Sequence, residues 1–126
     1  MKKFDITLQR EITMSQDDID DIVCTALEGG ITWWCCKAEV VEDEYYGEYA
    51  SDQISRGGSL RLYDIETEES YLLTLEKLLE GIKTAYARGY LEHLFDDDGK
   101  LDFFQVDGAA ADVIVQCALF GEVQFG

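Results

Sequence analysis

Along the chain, apolar positions fall into two rhythms, one of period two and one near 3.6, and they alternate irregularly. Residues 4–12 place Phe4, Ile6 and Leu8 on one side of an alternating stretch, which predicts a half-buried strand. Ser15 then opens a helix, with Asp18 three positions on completing a short-armed capping box. Ile19, Ile22, Val23, Ala26 and Leu27 give that helix one apolar face, and Gly29-Gly30 predicts its end. Residues 31–35 and 37–41 are rich in strand formers and predict one strand kinked at Cys36. On such a strand Trp33 and Trp34 would occupy opposite faces. Residues 59–64 alternate cleanly and predict another strand. Thr74 caps a second expected helix, with Leu75, Leu78, Leu79, Ile82 and Tyr86 on its inner face and Gly89 as its stop. The segments 91–95 and 101–106 flank Asp97-Asp98-Gly99-Lys100, a hairpin signal. Asp107 caps a third helix, 109–120, apolar nearly all round, and Gly121 ends it before a short terminal strand at 122–125.

The irregular order of strands and helices favours an α+β class over a βαβ repeat. The expected architecture is a small single domain over residues 1–126, with an antiparallel sheet of about four to six strands and three helices. At 126 residues, 47% of them hydrophobic, the chain can bury a real core. It lacks proline altogether.

Charge changes the picture most. Ten basic residues face twenty-seven acidic ones, a formal net charge of -17. Solubility needs only about 2–8 net charges in a small domain, and the excess works against compactness by self-repulsion. The acids are spread through the body, thirteen against six basic residues in 1–63 and fourteen against four in 64–126. Direct nucleic-acid binding is excluded on this ground, because phosphate contacts would lack their electrostatic drive, and anionic lipid would repel the chain. No apolar run approaches a membrane span, and the polar residues after Met1-Lys2-Lys3 argue against a signal peptide. The expected compartment is the cytosol. Four cysteines without a CxxC or zinc spacing read there as free, buried thiols.

A resemblance rests on four stretches: 18–22, 26–31, 47–58 and 118–122, the segment from Tyr49 to Gly58 being the most distinctive. In these the chain resembles a family of small acidic proteins from phages and prophages of Gram-positive gut bacteria. That resemblance implies a phage-encoded protein acting in the host cytoplasm. It supplies no activity and no catalytic residue.

Candidate chemistry is sparse. Asp96-Asp97-Asp98-Gly99 suggests a calcium loop, but with Gly99 at loop position 6 the first and twelfth positions fall on Leu94 and Gln105, which rules out an EF-hand and leaves a solvated turn or a loose cation site. His93, the lone histidine, has no triad partners near it in sequence. No catalytic residue, metal ligand or cofactor is assigned, and the protein is expected not to be an enzyme.

Two sets of site residues remain. The first is an acidic surface for a basic host protein, in the manner of a nucleic-acid mimic: Asp17, Asp20, Asp21, Glu42, Asp43, Glu44 and Glu48. The second is a ligand site of nucleotide type: Tyr49, Ser51, Ser55, Arg56, Gly57 and Gly58, where glycine backbone and one guanidinium would meet an anion. Trp33, Trp34, Tyr45, Tyr46, Tyr49 and Tyr63 serve either the core or an interface. A homo-oligomer of structural role is the third reading.

Overall fold

The structure is a computed structural model that describes residues 12–41, 45–95 and 102–126. It is α+β: among the described residues three strands form one antiparallel sheet, and helices pack with it around one core.

Helix α1 (Gln16–Thr25) starts as its sequence dictates. The Asp18 amide donates to Ser15 Oγ at 3.1 Å, and the Ser15 amide donates to Asp18 Oδ2 at 2.9 Å. Both first-turn donors are thereby satisfied. Ile19, Ile22 and Val23 face the core. The helix then widens into one π-type turn, Ala26–Gly30. Gly30 is required there, since a Cβ would lie 2.7 Å from the Gly108 carbonyl oxygen.

Residues 31–34 are a tight turn, not the start of a strand. The amides of Trp34 and Cys35 both donate to the Ile31 carbonyl, at 3.0 and 2.8 Å. Strand β1 (Cys35–Val40) begins only afterwards, with a bulge that leaves Cys36 between the pairs Cys35–Asp64 and Lys37–Tyr63. The expected kink at Cys36 is this bulge. Strand β2 (Leu60–Asp64) is central and sends Leu60, Leu62 and Asp64 inward. Strand β3 (Ser70–Leu73) pairs with it antiparallel. The turn between β2 and β3 is closed by the buried Asp64 carboxylate, whose Oδ1 accepts from the Glu66 and Thr67 amides at 2.8 and 3.3 Å. Glu68 turns the chain with φ 61°.

Helix α2 (Leu75–Ala87) is capped by Thr74, which accepts from the Lys77 amide at 3.2 Å. Its buried face is Leu78, Gly81, Ile82 and Ala85; Leu79 and Tyr86, expected inside, are 39% and 44% exposed. Helix α3 (Gly108–Phe120) is capped by Asp107, which accepts from the Ala110 amide at 2.8 Å, and stops at Gly121 with φ 74°. The α2–α3 contact is the most extensive in the fold. It is tight at Gly81, where a Cβ would stand 2.6 Å from the Ala118 amide nitrogen and 2.7 Å from the Ile114 oxygen.

Among the described residues the sheet has three strands, against the four to six expected for the chain. Glu92–Leu94 and Phe103–Gln105 are short 3-10 turns, because Leu91 and Leu94 are both buried at a spacing of three, which alternation cannot provide. A backbone bond joins the two segments, from the Asp102 amide to the Leu94 carbonyl at 2.7 Å. The terminal segment 122–125 is not a strand either, since its amides bind a side chain. The expected strand 4–12, apart from the exposed Ile12, and the turn 96–101 lie outside the described residues. No helix among those described is long and apolar enough to cross a membrane.

Candidate functional site

The distinctive segment from Tyr49 to Gly58 folds as two successive 3-10 turns, Ala50–Asp52 and Ile54–Arg56. Gln53 sits between them, fully buried. Its Oε1 accepts from the Tyr46 amide at 2.6 Å and the Gly47 amide at 3.4 Å, while its Nε2 donates to the carbonyls of Gly47 and Tyr49. A single side chain thus replaces the ladder that this loop lacks, and its burial leaves no polar atom unpaired. The Tyr49 amide adds a bond to Asp52 Oδ2 at 3.1 Å. Tyr45, Tyr46 and Tyr49 stand outward from this fixed backbone, 58%, 57% and 62% exposed.

The two candidate sets meet at Asp20. Its carboxylate accepts from Ser55 Oγ at 2.6 Å and pairs with the Arg56 guanidinium at 3.3 Å. Arg56 also donates to the Asp52 carbonyl at 2.9 Å. The Asp20 side chain is only 17% exposed, so it anchors α1 to the 3-10 turns and presents little charge outward. The glycine amides are likewise engaged: Gly57 donates to the Ile54 carbonyl at 3.1 Å and the buried Gly58 to the Gln53 carbonyl at 2.8 Å. Gly57, at φ 89°, ends the second turn in the left-handed conformation. Ser51 is half-buried beside these turns.

Asp17 and Asp21 are exposed on α1, and Glu48 is exposed at the tip of the tyrosine loop. Glu42, Asp43 and Glu44 lie outside the described residues. Asp21 borders a shallow groove of about 180 Å³ with Cys24, Thr25, Phe103 and Val106. A drug-sized ligand site spans about 300–1,000 Å³, so this groove suits a side chain better than a nucleotide.

The aromatic set divides. Tyr63 lies under Lys37, whose ammonium is 5.5 Å from the ring centroid. The two tryptophans converge on one carboxylate instead of taking opposite strand faces, because both belong to the 31–34 turn. Trp33 Nε1 donates to Asp112 Oδ2 at 3.0 Å and Trp34 Nε1 to Oδ1 at 2.7 Å. Gln116 Nε2 donates to the same Oδ1 at 2.9 Å, and its Oε1 accepts from the Gln124 and Phe125 amides at 2.8 and 2.7 Å. Phe125 stacks on Trp34 with centroids 4.8 Å apart. Sequence reading missed Asp112 and Gln116; their spacing of four on a nearly all-apolar helix was the available signal.

The four cysteines are free. Burial holds the thiols of Cys35 and Cys117 above the ordinary range, and Cys24 is raised by burial together with the neighbouring Glu28. Cys36 is exposed, contrary to the expectation of four buried thiols, because the bulge turns it out. His93 is exposed in the 3-10 turn Glu92–Leu94. Among the described residues, no group of three His, Cys, Asp or Glu side chains stands together as a metal site would; the Asp96-to-Asp98 turn lies outside them. Comparison of the chain with protein-family models, curated proteins and solved structures finds no match.

Proposed function

We propose that the chain is a non-enzymatic binding protein that engages a basic surface of another protein through the Tyr45–Tyr49 loop and the exposed acids of α1. With the origin its sequence resemblance implies, it is a phage protein that modulates a host protein in the cytoplasm. The observation that carries this reading is the pairing of a fully buried Gln53 with three outward tyrosines above half exposure. Fixing the loop before binding removes ordering entropy from the cost of association, and tyrosine offers large contact area with few rotors. Asp17 and Asp21, exposed on the helix that packs against the 3-10 turns, and Glu48 on the loop itself add negative charge that steers a cationic partner.

The test is affinity capture from bacterial lysate at low and high salt, with wild type beside Tyr46→Ala/Tyr49→Ala and Asp17→Asn/Asp21→Asn. The reading requires one basic protein whose capture falls with salt and is lost in both double variants. Capture that ignores salt, or survives both variants, sinks it. A nucleotide that raises the melting temperature of wild type but not of Arg56→Ala would replace it with the ligand reading.

A further inference from the structure

We propose that Cys35 and Cys36 form a vicinal-dithiol site for trivalent arsenic compounds. Neighbouring residues on a regular strand point to opposite faces, so adjacent cysteines there would not serve one ligand. The β1 bulge breaks that alternation, leaving Cys36 as the extra residue between two ladder pairs. Both residues line one open cleft of about 110 Å³, together with Leu27, Ile31, Thr32, Lys37 and Ala38.

The thiols are unengaged by strong bonds. Cys35 Sγ donates to the Lys37 carbonyl at 3.3 Å and Cys36 Sγ to the Tyr63 carbonyl at 3.6 Å, both weak sulfur donors. Cys36 is exposed and meets a reagent first; Cys35 is buried behind it and closes the chelate. Zinc-type ions need three or four protein ligands, and no cluster of that size stands among the described residues. A trivalent arsenic centre needs only two sulfurs, its third substituent remaining in place. The apolar walls from Leu27, Ile31 and Ala38 receive that substituent, in a space of the order of the about 150 Å³ cavity that accepts benzene.

With an aryl arsenoxide the reaction balances without any oxidant. Two arsenic–sulfur bonds form and two S–H bonds break. The arsenic–oxygen bond is cleaved, the oxygen leaves as water with both thiol protons, and arsenic stays trivalent.

The probe is phenylarsine oxide on the full chain, read by intact-protein mass and by counting remaining thiols. The expected result is a single adduct that consumes two thiols, resists excess 2-mercaptoethanol and is released by 1,2-ethanedithiol. Cys36→Ser should weaken binding at least about a hundredfold, because the second bond loses its intramolecular advantage. Cys24→Ser, in the other groove, should leave it unchanged. Because Cys36 is exposed, circular dichroism of Cys36→Ser should match wild type; the separate variant Cys35→Ala should show the same loss of binding. One thiol consumed per arsenic, release by 2-mercaptoethanol, or an adduct that survives Cys36→Ser overturns the proposal.

Discussion

Trp34 donates its indole N–H to Asp112 at 2.7 Å across 78 residues of sequence, and this bond ties the turn after α1 to the middle of α3. Asp112 serves three donors at once: both indoles and Gln116. Asp112→Ala would strand two buried donors, the Trp34 N–H and Gln116 Nε2, while the exposed Trp33 would recover water. The expected cost is about 1–3 kcal/mol for each of the two buried donors left unpaired. Urea unfolding followed by circular dichroism checks it, and an unchanged midpoint would show the carboxylate to be dispensable.

Gln53 fixes the tyrosine loop from below, so its removal should act locally as well as globally. In Gln53→Leu the Tyr46 and Gly47 amides lose their acceptor, at about 1–3 kcal/mol in stability. Hydrogen exchange at Tyr46 should accelerate more than exchange in β2. Equal acceleration at both places would mean that the loop has no independent anchor.

Gly81 packs tightly against α3, with backbone atoms where a Cβ would go. Backbone cannot swing aside, so Gly81→Ala should cost about 1–3 kcal/mol or more by overpacking. This opposes the gain that alanine normally brings inside a helix. A melting temperature equal to or above wild type refutes the close packing.

Alkaline pH should weaken the fold through its buried thiols. Cys35 and Cys117 are raised by burial from an ordinary value of 9.0, and Tyr71 is raised by burial and by the adjacent Asp64 and Glu69 carboxylates. Below the unfolded thiol value both states hold their protons and the contribution is complete. As pH climbs past it, the unfolded chain ionises first and stability drains away until the folded values are passed. Urea midpoints at about pH 8 and about pH 10 should therefore differ, the second being lower. Cys117→Ala should flatten the difference; a pH-independent midpoint contradicts it.

Local signals in the sequence placed helices α1, α2 and α3, because a cap needs only residues three apart. Ser15 with Asp18, Thr74 with Lys77 and Asp107 with Ala110 are all bonded as expected. The central strand was equally plain from Leu60 and Leu62. What escaped depended on distant partners. Trp33 and Trp34 look like strand residues until Asp112 claims both indoles, and 122–125 looks like a strand until Gln116 takes its amides. Strand β3 went unread because its inward register shows only against β2, where Leu73 faces Leu60. In the candidate site, Tyr49 and Arg56 were picked out by composition. Their actual organiser, Gln53, looks like any polar loop residue until its burial is known.

The chain has two tryptophans, and both rest on the same carboxylate beside Phe125. Its tryptophan emission is therefore a local instrument, blind to α2 and to the tyrosine loop. An emission melt that precedes the circular dichroism melt would record the tail peeling from α3 while the sheet stays folded. Coincident melts would instead mark a single cooperative unit.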